Sequence, residues 1–223
     1  MKKPFVIAID GASSTGKSTL AKGLAKALGF VHVDSGAMYR GVTLYVQQHG
    51  LIENKKVKTE TLLSQLDDIH LRFEGDTFWL NGVDVSAEIR SMQVSEAVSL
   101  VAAIPEVRTF LVAQQRIMGA NQSVVMDGRD IGTVVFPKAD IKLFLTADVN
   151  IRAQRRFDEL SAQNASTSVE EVRNNLAERD HLDSTRAESP LVQAADAIVL
   201  DATQYTVESM RDHVLDLVAE RLN

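Results

Sequence analysis

The 223-residue chain contains no cysteine. That excludes a disulfide framework and a thiolate metal centre, and it suits a reducing cytoplasm, where the chain is expected to reside. Aromatic residues are scarce at 5%, and the four prolines are scattered, so that no Pro-rich linker marks a domain boundary. No apolar run approaches the roughly twenty residues that a membrane span requires, and no membrane partner is expected. The run Phe5 to Ile9 follows a basic start but stops at Asp10, too soon for a signal peptide. Positive charge is also in deficit. With 24 Lys and Arg against 30 Asp and Glu, the net charge is −6, which argues against a nucleic-acid polymer as the main partner. Any bound anion must then be met by locally clustered arginines. What remains, at 45% apolar and 24% charged residues, is a globular chain long enough to bury one full core.

Within that chain, short apolar runs alternate with helical patterns. Phe5 to Ile9, Val31 to Val33, Val124 to Met126, Ile141 to Leu145 and Ala197 to Leu200 suit buried parallel strands, and the alternation predicts an α/β protein with a parallel sheet flanked by helices. One interval breaks the pattern. Ile69 to Phe73, Thr77 to Leu80 and Val83 to Val85 are β-like segments separated by Glu74-Gly75-Asp76 and Asn81-Gly82, a strong hairpin signal, and predict a small inserted antiparallel meander. A polar helical stretch from about Asp148 to Arg179 carries Arg152, Arg155 and Arg156 among several acidic residues.

The most specific local signal is Gly11-Ala12-Ser13-Ser14-Thr15-Gly16-Lys17-Ser18-Thr19, between the first strand and the helical pattern Leu20, Leu24, Leu28. It reads as a phosphate-binding P-loop. Backbone N–H groups from Ser13 to Ser18 would surround a β-phosphate, Lys17 would neutralise the β- and γ-oxygens, and Ser18 would ligate Mg²⁺. The helix that follows would present its positive end to the same anion.

Three more clusters carry chemistry, the first of them beyond the carboxyl end of a strand, where open α/β sheets collect ligands. Asp34 to Arg40 (DSGAMYR) follows the second strand, and Asp127-Gly128-Arg129-Asp130 ends an apolar run as a Walker B carboxylate does. Glu178 to Arg186 (ERDHLDSTR) places Arg179, Asp183 and Arg186 where they can share a helical face. Together with a P-loop they describe a second phosphate site supplied by Arg40, Arg129 and Arg186.

IDGxxxxGKST, DSGAMYR, VSLVAAIPEVR (Val98 to Arg108), DGRDIGTVVFP (Asp127 to Pro137) and ERDxxDxxR match, in order and over nearly the whole chain, so that the sequence resembles the bacterial cytidylate kinases of the nucleoside monophosphate kinase family. The resemblance implies that family's P-loop kinase fold, a five-stranded parallel sheet in a single domain over 1–223. Within it would lie a monophosphate-binding insertion at about 36–106 and a helical lid at about 148–179. It implies transfer of the γ-phosphoryl of ATP to CMP or dCMP with Mg²⁺, with small-molecule substrates only, and a monomer is expected. On the donor side it implies the loop Gly11 to Thr19 with Arg152, Arg155 and Arg156. Lys17, Arg129, Arg155 and Arg156 would act most directly on the reacting phosphates. For CMP it implies Ser35, Tyr39, Arg40, Ser99, Arg108, Asp127, Arg129, Asp130, Arg179, Asp183 and Arg186, with Ser99, Arg108 and Asp130 around cytosine and Arg179 and Asp183 towards the ribose. Similar loops usually read GPSGxGK, whereas this chain has Ala12 and Ser14.

Two other functions fit parts of the same pattern. A P-loop kinase for UMP, AMP or a hydroxylated metabolite would lack a use for Ser99, Arg108 and Asp130 together. A GTPase-type switch would need Asn-Lys-x-Asp, and Asn54-Lys55-Lys56-Val57 lacks the final aspartate. Trp79 is expected to anchor the meander by packing. The five histidines lack metal-ligand spacing and are assigned no role.

Overall fold

The structure, a computed structural model, describes residues 3–162 and 167–222. The amino-terminal part runs β1 (Val6–Gly11), α1 (Lys17–Leu28), β2 (Val31–Asp34) and α2 (Ser35–Gln48). A hairpin β3 (Ile52–Glu53) and β4 (Lys56–Val57), the short α3 (Thr59–Ser64) and the strands β5 (Leu71–Glu74), β6 (Thr77–Leu80) and β7 (Val83–Asp84) come next. Then follow α4 (Met92–Ala102), α5 (Pro105–Asn121), β8 (Val124–Gly128), β9 (Ile141–Thr146), α6 (Val149–Ser161), α7 (Val169–Thr185), β10 (Ile198–Asp201) and α8 (Val207–Leu222). The chain forms two compact units, one of residues up to Val33 together with those from Met118 onward, the other Asp34–Ile117.

The first unit is built on a five-stranded sheet of order β10-β9-β1-β8-β2. All six residues of β1 are buried, and it pairs in parallel with β8 (Ile7 opposite Val125) and β9 (Ile7 opposite Ile141). The apolar run Val6–Ile9 suits this central place, since a parallel strand is covered on both faces. Ile7, Ile9, Val125, Leu143 and Leu145 make the core with Leu20 and Leu24 of α1 and Val214 and Val218 of α8. The chain leaves β1 towards β2, returns to β8 between them and only then crosses to β9. The end of β1 is therefore the point where strand order reverses, and the loop that follows it is the natural ligand site of such a sheet.

The second unit contains the predicted meander, β5-β6-β7. Asn81 and Gly82 adopt positive φ (49° and 81°), as a two-residue hairpin turn requires. Its packing anchor is Phe78 rather than Trp79. Phe78 is 3% exposed and lies so close to Gly41 of α2 that a Cβ there would come within 2.7 Å of the ring. Trp79 points to the other face of its strand, where Arg72 stacks 5.1 Å above it. The hairpin β3–β4 was not expected from the sequence. Asn54 and Lys55, with φ of 50° and 58°, form its turn, so this Asn-Lys pair serves as a hairpin corner.

Candidate active site

The P-loop begins where β1 runs out of room for side chains. A Cβ on Gly11, whose φ is +147°, would fall 2.2 Å from the carbonyl oxygen of Leu145 on the neighbouring strand. Gly16 ends the loop in the left-handed region (φ 97°) as the N-cap of α1, with no side chain capping the helix. The first N–H groups of α1 therefore face the loop, an arrangement suited to anions. The Lys17 ammonium arches back over the loop, donating to the Ala12 carbonyl at 2.5 Å and to Thr15 Oγ1 at 3.4 Å.

Ser14 has φ of 59°. A left-handed conformation costs a side-chain-bearing residue about 1–2 kcal/mol, while glycine forfeits about 0.5–1 kcal/mol through the freedom of its unfolded chain. The first term is larger, so Ser14→Gly is expected to stabilise the protein by about 0.5–1 kcal/mol, a rise of roughly 1–4 °C in melting temperature. Differential scanning calorimetry on the two proteins checks this, and a lower melting temperature for the glycine variant would contradict it.

Asp127 is the last residue but one of β8. Its Oδ2 accepts from the Ser18 hydroxyl at 2.6 Å and its Oδ1 lies 2.8 Å from His32 Nε2. The hydroxyl of the P-loop and the carboxylate of the Walker B-like strand therefore lie together, and both are hard oxygen donors of the kind that hold Mg²⁺. Sequence reasoning gave His32 no part in it.

Behind the loop lies Asp10, also unforeseen. Its carboxylate is 4% exposed and accepts the backbone N–H groups of Ile131 and Gly132, both at 2.7 Å, fixing a π-helical turn over Ile131–Val135 directly after Arg129 and Asp130. Burial pushes its pKa up to about 6 against those two hydrogen bonds, and Asp130 adds repulsion. A carboxylate at the end of the strand that enters a P-loop was the available signal.

On the far side of the loop, Arg129 donates to Ser13 Oγ at 2.7 Å and to Asp183 Oδ2 at 2.9 Å. Arg186 approaches the other oxygen of Asp183 at 3.6 Å, and Arg179, 7% exposed, adds its charge. Burial opposes ionisation of Asp183, but Arg129, Arg179 and Arg186 overcome it and hold the carboxyl below its ordinary value. The predicted helical face of α7 is thus real, and three guanidinium groups share one carboxylate next to the phosphate loop. Such an excess of forked donors suits a phosphate.

These two acids act on stability in opposite directions. Asp183, with its pKa lowered, contributes stability above the ordinary carboxylate value of 3.8 that is lost as pH falls through its folded value. Asp10, with its pKa raised from 3.8 to about 6, stabilises the fold most below 3.8 and loses that contribution as pH rises to 6. The loss amounts to about 3 kcal/mol. Urea unfolding of Asp10→Asn between pH 4 and 7 is expected to lack this decline, and an unchanged pH slope would contradict the assignment.

The arginines of α6 divide into different environments. Arg152 is buried, donating to the Ser13 carbonyl at 3.2 Å and to Asp180 at 2.6 Å. Arg155 points along the loop at Thr15 O (3.5 Å) and Ala202 O (3.3 Å), and Arg156 pairs with Glu159 at 3.0 Å. Arg155 also lines a cavity of about 350 Å³ with Ser14, Gly16, Leu20, Tyr205 and Met210. Its apolar and aromatic wall beside the P-loop suits a nucleobase, and no sequence motif marked Tyr205 or Met210. Of the stretch 148–179, residues 163–166 lie outside the described residues.

In the second unit, Asp34 caps α2 by accepting from the Ala37 N–H at 2.9 Å. That helix carries the buried Ser35 and Tyr39 and the half-buried Arg40. Arg108 of α5, 4% exposed, lies with its guanidinium 5.2 Å from the Tyr39 ring centre and donates to the Ala102 carbonyl at 3.2 Å. Ser99 of α4 is buried in the same unit.

The cytidylate kinase family model matches residues 7–220. The chain belongs to the cytidylate kinase family. It is 52% identical over 221 residues to a protein named cytidylate kinase from Parabacteroides distasonis, covering 96% of each. A cytidylate kinase from Flavobacterium psychrophilum is 50% identical over 222 residues, with 97% of this chain and 98% of that protein covered. The crystal structure of an uncharacterized protein from Eubacterium ventriosum shares the fold, with a TM-score of 0.52 at 16% identity over 98% of this chain and 99% of that one. No helix among the described residues is long and apolar enough to cross a membrane.

Proposed function

We propose that this chain carries out the reaction its family is named for. The terminal phosphoryl of ATP passes to a phosphate oxygen of CMP or dCMP, so that the bond to the β-phosphate oxygen breaks, a new P–O bond forms, and ADP leaves with CDP or dCDP. The observation that carries the reading is Arg129, bonded at once to Ser13 of the phosphate loop and to Asp183 of the arginine-rich face. One guanidinium thereby connects a donor-phosphate loop to an anion site.

The residues divide the work by charge. Loop N–H groups and Lys17 receive the β- and γ-phosphates of ATP, whose base enters the cavity walled by Leu20, Tyr205 and Met210. Ser18 and Asp127 would hold Mg²⁺, which when bound neutralises charge on the transferring phosphates. Arg155 and Arg156 of α6 approach the same phosphates, while Arg152 fixes the loop from behind. Arg129 and Arg186, with Arg40, hold the acceptor phosphate, and Arg179 and Asp183 face the sugar. Ser99, Arg108 and Asp130 read the cytosine amine, N3 and O2. No general base is required, because the acceptor phosphate is already ionised at neutral pH. We further propose that the stretch 148–179 closes as a lid, that 36–106 serves as the monophosphate-binding insertion of one kinase domain, and that the enzyme works as a cytoplasmic monomer.

Steady-state assays of ADP release with ATP, Mg²⁺ and each of CMP, dCMP, UMP, AMP and GMP test the reading. CMP and dCMP are expected to be the preferred acceptors. Failure of all five while ATP binds normally would overturn it.

A further inference from the structure

His32 is the second residue of β2, and the described contacts give it a partner that sequence spacing did not suggest. Its Nε2 lies 2.8 Å from Oδ1 of Asp127, whose Oδ2 accepts from the Ser18 hydroxyl at 2.6 Å. Asp127 is 3% exposed and the His32 side chain 16%. An ionised carboxylate only accepts hydrogen bonds, so the ring nitrogen facing it must carry the hydrogen. Each oxygen of Asp127 thus has its own donor, one from β2 and one from α1.

We propose that His32 is a positioning residue for the metal site, holding Oδ1 of Asp127 so that Oδ2 stays aimed at Ser18 Oγ. The inference rests on the proposed role of Ser18 and Asp127 as the metal-side pair. The Ser18 hydroxyl has one hydrogen and two lone pairs. When Asp127 takes the hydrogen, both lone pairs remain available to the cation that ATP brings. When Asp127 turns away, the hydrogen can occupy the side the cation needs. A carboxylate has a broad terminal torsion, and the charge of Arg129 acts on this one. The contact from His32 to Oδ1 limits rotation about that torsion. Partners of this kind, one step removed from a cation, commonly change its affinity 10- to 100-fold.

The test measures metal affinity directly. Mn²⁺ is titrated by electron paramagnetic resonance into protein saturated with ADP, for the wild type, His32→Phe, His32→Leu and His32→Gln. Phe keeps a ring without a donor, whereas Gln returns an N–H at similar reach. The Mn²⁺ affinity of the ADP complex is expected to fall about 10-fold in the Phe and Leu variants and to recover most of that in the Gln variant. ADP affinity measured by calorimetry in a metal chelator should stay at the wild-type value in all of them. If the apolar variants do not fold, His32→Asn, too short to reach Oδ1, supplies the comparison. Wild-type Mn²⁺ affinity in the donorless variants would overturn the proposal, as would a loss that glutamine fails to restore. Should wild-type protein with ADP bind Mn²⁺ no better than ADP alone, and Asp127→Asn make no difference, the assignment of the metal-side pair is itself wrong.

Discussion

Lys17→Ala is expected to lower kcat by about 10²- to 10³-fold, the usual cost of removing one preorganised charge from the developing negative charge of a transition state. The melting temperature should move by only a few degrees. Lys17 is 6% exposed and bonds the Ala12 carbonyl, but that oxygen also accepts from Thr15 Oγ1 at 3.0 Å and would not be orphaned by the substitution. Alanine is moreover the best helix former at the first position of α1, and removing a buried ammonium relieves a desolvation cost. The two effects on stability partly offset each other, whereas nothing offsets the lost charge at the γ-phosphate. Single-turnover phosphorylation alongside calorimetry separates them. Retention of most of the rate would remove the loop from the account of catalysis.

The features legible in the sequence are those in which distance along the chain is itself the geometry. A P-loop is nine consecutive residues, and Arg179 and Asp183 stand about one turn apart on α7, with Arg186 following as its C-cap. The five parallel strands were legible as apolar runs, but all five were placed one or two residues too short at the carboxyl end, and two of them began a residue early. Gly11, Asp34, Gly128, Thr146 and Asp201 finish the strands, each beyond the point where the apolar run stops. Counting apolar residues loses the positions that matter for chemistry. Contacts between distant segments left no local trace: His32 and Asp127 are 95 residues apart, Arg129 and Asp183 54 apart. The left-handed turn at Asn54-Lys55 joins strands of two residues each, too short to alternate visibly. Arg152, Arg155 and Arg156 share a helix and looked equivalent, yet burial of Arg152 against Ser13 and Asp180 gives it a different environment.

Asp130→Ala is expected to compress the ratio of kcat/KM for CMP over UMP by about 10- to 100-fold, chiefly by slowing CMP. In the proposed complex the carboxylate accepts from the exocyclic amine of cytosine. Uracil presents O4 at the same place, and two acceptors then oppose each other in a desolvated site at a cost of about 1–3 kcal/mol. Asp130 is 3% exposed, so water cannot easily relieve that opposition. Removing the carboxylate abolishes the amine contact and the repulsion together. Asp130→Asn should go further, since its amide can turn an N–H towards O4 and favour UMP. The competing role is structural, with Asp130 holding Arg129 or Arg186 in place for the phosphate. That role predicts equal losses for both acceptors and an unchanged ratio. Asp130 also raises the pKa of the buried Asp10 by repulsion, so its removal relieves an electrostatic strain and the protein should stay folded for the measurement. Comparing both acceptors on the two variants distinguishes reading of the base from positioning of the phosphate.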